Sequence, residues 1–152
     1  MFRKIFFIKV LVTIFLLSFF SFVNSEEIFL SLKKNKVNVR YGPSLESPIK
    51  FIYKKINLPI KQIDKKENWR RIIDSKNNSG WIHWSQLKPI NSVISLNEMI
   101  LFKKPSNFSK PLAKIQTGRV LILQKCIEGW CKIKSDNFKG WIKTDNIWGL
   151  IN

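Results

Sequence analysis

The sequence predicts an all-β protein made of two small modules in tandem, and an internal repeat is the main evidence. Residues 69–83 occur again, shortened by one residue, as residues 130–143. Each copy has an alternating segment opened by Trp, a polar turn, and a second short segment opened by Gly-Trp. Two alternating segments joined by a polar turn are typical of a β-hairpin. Two such hairpins indicate two β-modules.

The aromatic residues of the hairpins are expected to build the modules. A module of about sixty residues has a small interior, and a large aromatic side chain buries roughly 150–250 Å². We expect one Trp of each pair to be buried, and the alternative is an aromatic wall for a ligand groove. The pairs are Trp69 with Trp81 and Trp130 with Trp141. Either module alone would be marginally stable, so we expect the two to share an interface or to be fastened in another way.

The glycines of the two Gly-Trp pairs, Gly80 and Gly140, stand at the head of a strand. Glycine in this position indicates a bulge, a positive φ or the close passage of another chain segment.

The first 25 residues have the pattern of a secretory signal peptide. Three basic residues accompany an apolar segment at 10–20, and the small residue Ser25 closes the stretch. The apolar segment is shorter than the roughly 20 residues that cross a bilayer comfortably. We therefore expect a signal peptide at 1–25 with cleavage after Ser25. The alternative is an uncleaved N-terminal anchor in which residues 2–23 span the membrane.

The chain is strongly basic, with 27 Lys and Arg against 10 Asp and Glu and a formal net charge of +17 at pH 7. Lysines scattered along strands and turns are typical of a solvated surface. Such a surface is also attracted to anions, among them cell-wall polymers, lipid head groups and acidic proteins. Export makes nucleic acid an unexpected partner, and a weak attraction to an anionic membrane surface stays open.

The first module is predicted at 28–88. Val37 and Val39 alternate with polar residues and are expected to point inward, and a Gly42-Pro43 turn ends their strand. The strands predicted before the hairpin are 28–32, 37–41, 49–53 and 58–63.

Residues 37–87 resemble the bacterial SH3-like domain, in particular its exported tandem type common in alphaproteobacteria. The segments that carry the resemblance are 37–44 (VNVRYGPS), 48–50, 68–72 and 80–87. The resemblance implies a small barrel of five to six strands, and hence two tandem SH3-like β-barrels. The better-known members of this family bind peptidoglycan or the peptides that cross-link it, often as the targeting module of a cell-wall hydrolase.

The second module is predicted at 98–150, after a linker at 89–97 that has a strand-like middle. Lys103 and Lys104 stand where the first module has Tyr41 and Gly42, so we expect its binding loop to be lost or changed. The tail resembles the closing segment of the same family, and we expect Trp148 to pack back on the barrel.

The candidate ligand groove lies in the first module. Arg40 and Tyr41 end its second strand, and the hairpin contributes Trp81, His83 and Trp84. Alternation places Trp81 and His83 on one face and Trp84 on the other, so only one of the two Trp side chains can belong to the core. The Trp left outside, beside Tyr41 and Arg40, would present an apolar plane next to a cation. This combination suits stacking on a sugar or a peptide plane.

Cys126 and Cys131 face one another across a short turn and are expected to form a disulfide in an oxidising compartment. We expect no metal site, since His83 is the only His and no other Cys completes a ligand set. We also expect no cofactor. The sequence has no recognisable Cys-His, Ser-His or paired-carboxylate set, which indicates a protein that is not an enzyme.

Together these observations predict a non-catalytic, periplasmic or secreted protein whose modules recognise peptidoglycan or its peptides. The alternative is a periplasmic interaction or scaffold protein that binds another envelope protein. A hydrolase is the least supported interpretation, and the oligomeric state stays open.

Overall fold

A computed structural model of the protein describes residues 27–135 and 137–149. The predicted signal peptide and its cleavage site lie outside the described residues. The described part contains fourteen β-strands and one turn of 3-10 helix, Trp84–Gln86. The predicted all-β class and the tandem arrangement are therefore confirmed.

The first seven strands form one sheet, which we call barrel one. They are β1 (Ile28–Leu32), β2 (Val37–Arg40), β3 (Ile49–Tyr53), β4 (Pro59–Lys66), β5 (Trp69–Ile73), β6 (Ser79–His83) and β7 (Leu87–Pro89).

The other seven strands form a second sheet, barrel two. They are β8 (Ser92–Ser95), β9 (Met99–Phe102), β10 (Pro111–Ile115), β11 (Val120–Ile127), β12 (Trp130–Ser135), β13 (Phe138–Lys143) and β14 (Ile147–Trp148).

The two sheets have the same topology. The strand order is β3-β2-β6-β5-β4-β1-β7 in barrel one and β10-β9-β13-β12-β11-β8-β14 in barrel two. Adding seven to every label of the first order gives the second. The repeat seen in the sequence is thus a repeat of the whole fold. Strand β8 lies inside the segment predicted as a linker, and all four of its residues are buried in the second sheet.

Each barrel encloses its own aliphatic core, built by strand alternation. Val37 and Val39 are fully buried, as their spacing predicts, and they pack with Ile60, Ile72 and Ile82. The second core has Val93, Leu101, Leu121, Cys131, Ile133 and Ile142. Full burial of one such aliphatic side chain contributes roughly 1.5–3 kcal/mol.

The two hairpin glycines mark places where another strand passes closely. A Cβ on Gly80 would lie 2.5 Å from Val39 Cγ1 and 2.9 Å from the Arg40 carbonyl oxygen. A Cβ on Gly140 would lie 2.6 Å from the Phe102 carbonyl oxygen. Of the three features that a glycine in this position can indicate, the structure shows the close passage of another strand.

The barrels share an interface that includes a chain of hydrogen bonds. The Ser92 hydroxyl donates to the Asn57 carbonyl at 2.5 Å and lies 2.8 Å from the Ser31 hydroxyl. Since a hydroxyl has one proton, Ser31 must donate to Ser92, and the backbone N–H of Asn91 donates to Ser31 at 3.3 Å. This chain pairs two hydroxyls that are completely buried between the barrels.

An aromatic contact also joins the two barrels. Trp148 pairs through its backbone with Ile94 of barrel two, but its ring packs edge-to-face on Phe29 of barrel one with centroids 5.0 Å apart. The tail therefore fastens barrel two to barrel one rather than only closing its own barrel.

The predicted disulfide is present. Cys126 and Cys131 are cross-strand partners in β11 and β12, with Cα atoms 4.0 Å apart. Cys131 is fully buried in the second core, whereas Cys126 is exposed.

Candidate functional site

A polar cavity of about 300 Å³ lies on the outer side of barrel one, and we call it the basic pocket. Its lining combines three cationic side chains, two aromatic rings and two small residues. These residues are Arg40, Tyr41, Lys50, Arg71, Ser79, Gly80 and Trp81.

Strand register places the pocket residues around Trp81. Trp81 is the cross-strand partner of Arg71 on β5 and of Arg40 on β2. Side chains of directly opposed residues share one face of a sheet. The absence of a Cβ at Gly80 lets β2 approach β6, and this approach brings Arg40 beside Trp81.

The cations of the pocket are partly held in place. The Lys50 ammonium donates to the Ser79 carbonyl at 2.9 Å and lies 5.6 Å from the centre of the Tyr41 ring. The Arg40 guanidinium donates to the Ser47 carbonyl at 2.6 Å. Tyr41 itself is 65% exposed. The pocket thus presents an accessible aromatic ring together with two hydrogen-bonded cations, Lys50 and Arg40.

No carboxylate is among the described residues that line the pocket, but Glu46 lies in the adjoining loop. The pKa of Glu46 is lowered, first by a hydrogen bond from Ser44 and to a smaller extent by the positive charge of Arg40. Arg40 therefore favours an ionised carboxylate in its neighbourhood.

Three of the five predicted groove residues meet in this pocket, and two do not. Arg40, Tyr41 and Trp81 line it, whereas His83 and Trp84 lie at the other end of β6. The His83 ring packs edge-to-face on Trp69 at 5.4 Å. Trp84 is 54% exposed at the start of the 3-10 turn.

Alternation predicted that one of Trp81 and Trp84 belongs to the core, but neither does. Ile82, between them, is fully buried and occupies the core position. Trp81 is half-buried on the outer face. In this hairpin the buried Trp is Trp69, at 8% exposure.

Sequence reasoning missed Lys50 and Arg71. Arg71 was predictable, because β5 and β6 pair regularly from the hairpin turn outward and this register places Arg71 opposite Trp81. Lys50 was not, since the pairing of β2 with β3 shifts between Val39 and Arg40. Such a shift changes which residues share a face.

A polar pair, the half-buried Tyr53 and the buried Asp74, lies beside a second cavity of about 330 Å³ between the barrels. The Tyr53 hydroxyl donates to the Asp74 carboxylate at 2.9 Å. Burial and the charge of Asp74 raise the pKa of Tyr53 well above its usual range, so Tyr53 stays a donor. Burial alone would raise the pKa of Asp74, but hydrogen bonds from Asn78, Lys76 and Tyr53 outweigh it and lower that pKa. This pair fixes the hairpin turn of barrel one.

Two features are absent from residues 27–135 and 137–149. No three His, Cys, Asp or Glu side chains there are grouped closely enough to hold a metal ion. No helix in those residues has the length and apolarity needed to cross a membrane.

Comparison with known proteins adds the following. A family model described as the bacterial SH3 domain matches residues 33–89 and 96–149. No curated protein matches the chain. Among solved structures, NlpC2 from Trichomonas vaginalis is similar with a TM-score of 0.37 and 14% identity, over 80% of this chain and 48% of that chain. NlpC1 from Trichomonas vaginalis gives 0.38 and 14%, over 84% and 47%. This chain thus spans about half the length of each of these two proteins.

Proposed function

Because the chain belongs to the bacterial SH3 domain family, we propose that it is a non-catalytic protein of the cell envelope that binds peptidoglycan or its peptides through the basic pocket. Membership of the family suggests binding related to the cell wall, since its domains generally bind envelope components. The finer assignment, to the pocket of barrel one, rests on the chemistry of that pocket.

The observation that carries the proposal is the meeting of an exposed aromatic ring with three cations. Tyr41 offers a flat face for a sugar ring or an amide plane, and Lys50 lies against it. Arg40 and Arg71 flank Trp81 and offer guanidinium groups, which pair well with carboxylates. The peptides of peptidoglycan combine amide planes with free carboxylates. The amide planes can stack on the Tyr41 ring, and the carboxylates can pair with the guanidinium groups.

The absence of catalysis is part of the proposal. Nδ1 of His83 lies 2.8 Å from the Ser85 hydroxyl, which resembles one contact of a nucleophile and base pair. The same nitrogen accepts from the Ser85 backbone N–H and caps the 3-10 turn. No carboxylate is among the hydrogen-bond partners of His83 in the described residues, so nothing there orients the imidazole as a base. We assign His83 to turn capping.

Export with cleavage after Ser25 is also proposed. It rests on the sequence of residues 1–25 and on the disulfide, since disulfides persist in oxidising compartments. The intact mass of the protein recovered from the envelope should correspond to a chain that begins at Glu26. A mass that retains residues 1–25 would instead favour the membrane-anchored alternative.

The binding proposal is tested by sedimentation of the purified chain, residues 26–152, with insoluble peptidoglycan sacculi at a low and a high salt concentration. Tyr41→Ala removes the exposed ring of the pocket and should weaken binding by about tenfold, equivalent to about 1.4 kcal/mol. Trp84→Ala is the matched control, because it removes another exposed aromatic ring of barrel one, outside the pocket. It should bind as the unmodified protein does.

Equal binding by Tyr41→Ala and the unmodified protein would reject the pocket. The scaffold alternative makes a different prediction from the same variants. In that case sacculi would not retain the protein, and a pull-down from envelope extract would recover one protein partner, without glycan, in a way that depends on Tyr41.

A further inference from the structure

The outer side of strands β11, β12 and β13 carries five lysine side chains, which we call the lysine face. The side chains of Cys131 and Ile133 point into the core of barrel two. Because side chains alternate along a strand, those of Lys132 and Lys134 point outward. The lysine face consists of Lys125, Lys132, Lys134, Lys139 and Lys143.

The lysines oppose one another across the strands. Lys125 is the direct partner of Lys132, and Lys134 is the direct partner of Lys139. Like charges placed directly opposite each other destabilise an antiparallel pair. The salt bridges among residues 27–135 and 137–149 are Lys61 with Glu27 and Lys114 with Glu98, so none involves the lysine face.

The fold does not require this arrangement, as barrel one shows. At the register positions of the two lysine pairs, barrel one has Asp64 opposite Arg71 and Ile73 opposite Ser79. Both pairs build the same strands without like charges, although Lys65 lies opposite Arg70 one position further along β4 and β5. The lysines are therefore a property of this surface and not of the barrel topology.

Two tryptophan rings hold three of the lysine ammonium groups. Lys125 and Lys132 lie 5.6 Å and 5.9 Å from the centre of the Trp141 ring. Lys143 lies 5.8 Å from the centre of the Trp130 ring. Contact with an aromatic face attracts a cation and restricts its side chain. Cations that are ordered before binding lose less entropy when an anion arrives.

We propose that the lysine face binds an extended acidic polysaccharide. Its charges lie at three successive outward positions of the strands: Lys134 with Lys139, Lys132 with Lys125, and Lys143. Outward positions are two residues, or roughly 7 Å, apart, so the charged strip is about 14 Å long. A sugar chain with carboxylate or phosphate groups at intervals can neutralise the charges at successive positions. A lipid surface fits less well at the centre of the face, because Trp141 is only 7% exposed beneath its lysines and offers no ring for insertion there. The proposal is independent of the basic pocket.

The test is a titration of the mature chain with a fluorescently labelled polygalacturonate oligomer over a series of salt concentrations, with neutral dextran as the reference polymer. The variant Lys134→Gln with Lys139→Gln should bind at least about tenfold more weakly. Its affinity should also depend less on salt, with roughly one to two fewer counterions released, as with other polyanions. Removal of a like-charge pair should leave the melting temperature of the free protein unchanged or higher.

The matched control is Lys33→Gln with Lys34→Gln, which removes the same charge from an exposed turn of barrel one. It should keep its affinity within about twofold. Lys143→Gln is a second, independent variant of the face and should lose several-fold. Tyr41→Ala should still bind polygalacturonate, which separates this proposal from that for the basic pocket.

Equal losses in the lysine-face variant and the control would mean attraction by net charge alone and would overturn the proposal. So would unchanged binding by the variants of the face. Binding to phosphatidylglycerol vesicles without binding to polygalacturonate would overturn it in favour of a membrane surface.

Discussion

Barrel one and barrel two share a strand order and a core pattern but differ on their outer faces. Ile72 and Ile82 of the first core occupy the register positions of Ile133 and Ile142 in the second. On the outer face, the position of Arg40 opposite the hairpin Trp is taken by Phe102 in barrel two. These two inward positions carry the same residue in both copies, whereas this outward position differs.

The barrels also differ in which tryptophan of the hairpin is buried. Trp69 is the buried ring of barrel one, and Trp81 stays accessible beside Arg71. In barrel two Trp141 is buried under two lysines, and Trp130 is the half-buried ring. A single fold therefore presents an open pocket in one copy and a lysine-covered surface in the other.

The barrels are also reinforced differently. Barrel one has the partly buried hydrogen bond from Tyr53 to Asp74 at its hairpin turn. Barrel two has a disulfide, at positions where barrel one pairs Lys65 with Arg70. This difference makes each barrel sensitive to a different treatment.

The largest loss of stability is expected at the hairpin glycines, which the two barrels have in common. Gly80→Ala and Gly140→Ala should each lower the free energy of unfolding by about 3 kcal/mol, because the new Cβ would overlap the neighbouring strand. Urea denaturation followed by Trp fluorescence measures this loss. The shared architecture would be called into question if one glycine tolerated Ala and the other did not.

Reduction of the disulfide should affect barrel two alone. The chain-entropy model gives about 2 kcal/mol for a loop this short, which lowers the melting temperature of a small domain by several degrees. Hydrogen exchange of individual amides distinguishes the barrels: protection should fall in β11 and β12 while that of β4 and β5 remains. Equal loss in both barrels would show that they unfold as one unit.

Acid should affect barrel one through Asp74. The pKa of Asp74 is lower in the folded protein than in the unfolded chain, where it is about 4. The ionised carboxylate therefore stabilises the fold at pH values above about 4, and this contribution is lost as the pH falls further. Asp74→Asn should cost about 1–2 kcal/mol at pH 7 and should reduce the loss of stability between pH 5 and pH 2. Asp64→Asn, an exposed carboxylate of the same barrel, is the control and should change stability little at pH 7. An unchanged acid profile in Asp74→Asn would contradict this assignment.

The smallest effect concerns the contact between the barrels. Ser31→Ala interrupts the buried hydrogen-bond chain from Asn91 to Asn57 and should cost about 1 kcal/mol. Calorimetry should show a lower melting temperature. A variant that melts as the unmodified protein does would mean that this chain contributes nothing to their coupling.

Much of the fold could be predicted from the sequence because its signals are local. Alternation identified Val37 and Val39 as core residues, the repeat identified both hairpins, and short spacing paired Cys126 with Cys131. The place of Ser92–Ser95 in the second barrel could not be predicted, since a four-residue segment with polar ends resembles a linker.

The site was only partly predictable, because its geometry depends on contacts distant in the chain. Arg40, Tyr41 and Trp81 meet in the pocket, but His83 packs on Trp69 and so moves out of the predicted groove. Lys50 joins the pocket through an irregular strand pairing that alternation does not reveal. Which Trp is covered depends on cross-strand neighbours, such as the lysines over Trp141.

The central claim, that barrel one carries the ligand pocket and barrel two a separate charged face, is tested most directly by NMR. The amide spectrum of the mature protein is followed during titration with a soluble peptidoglycan stem peptide. The largest shift changes are predicted at Arg40, Tyr41, Gly80 and Trp81, with β11 to β13 nearly unchanged. Shift changes centred on Lys132, Lys139 and Trp141, with barrel one unchanged, would contradict the account.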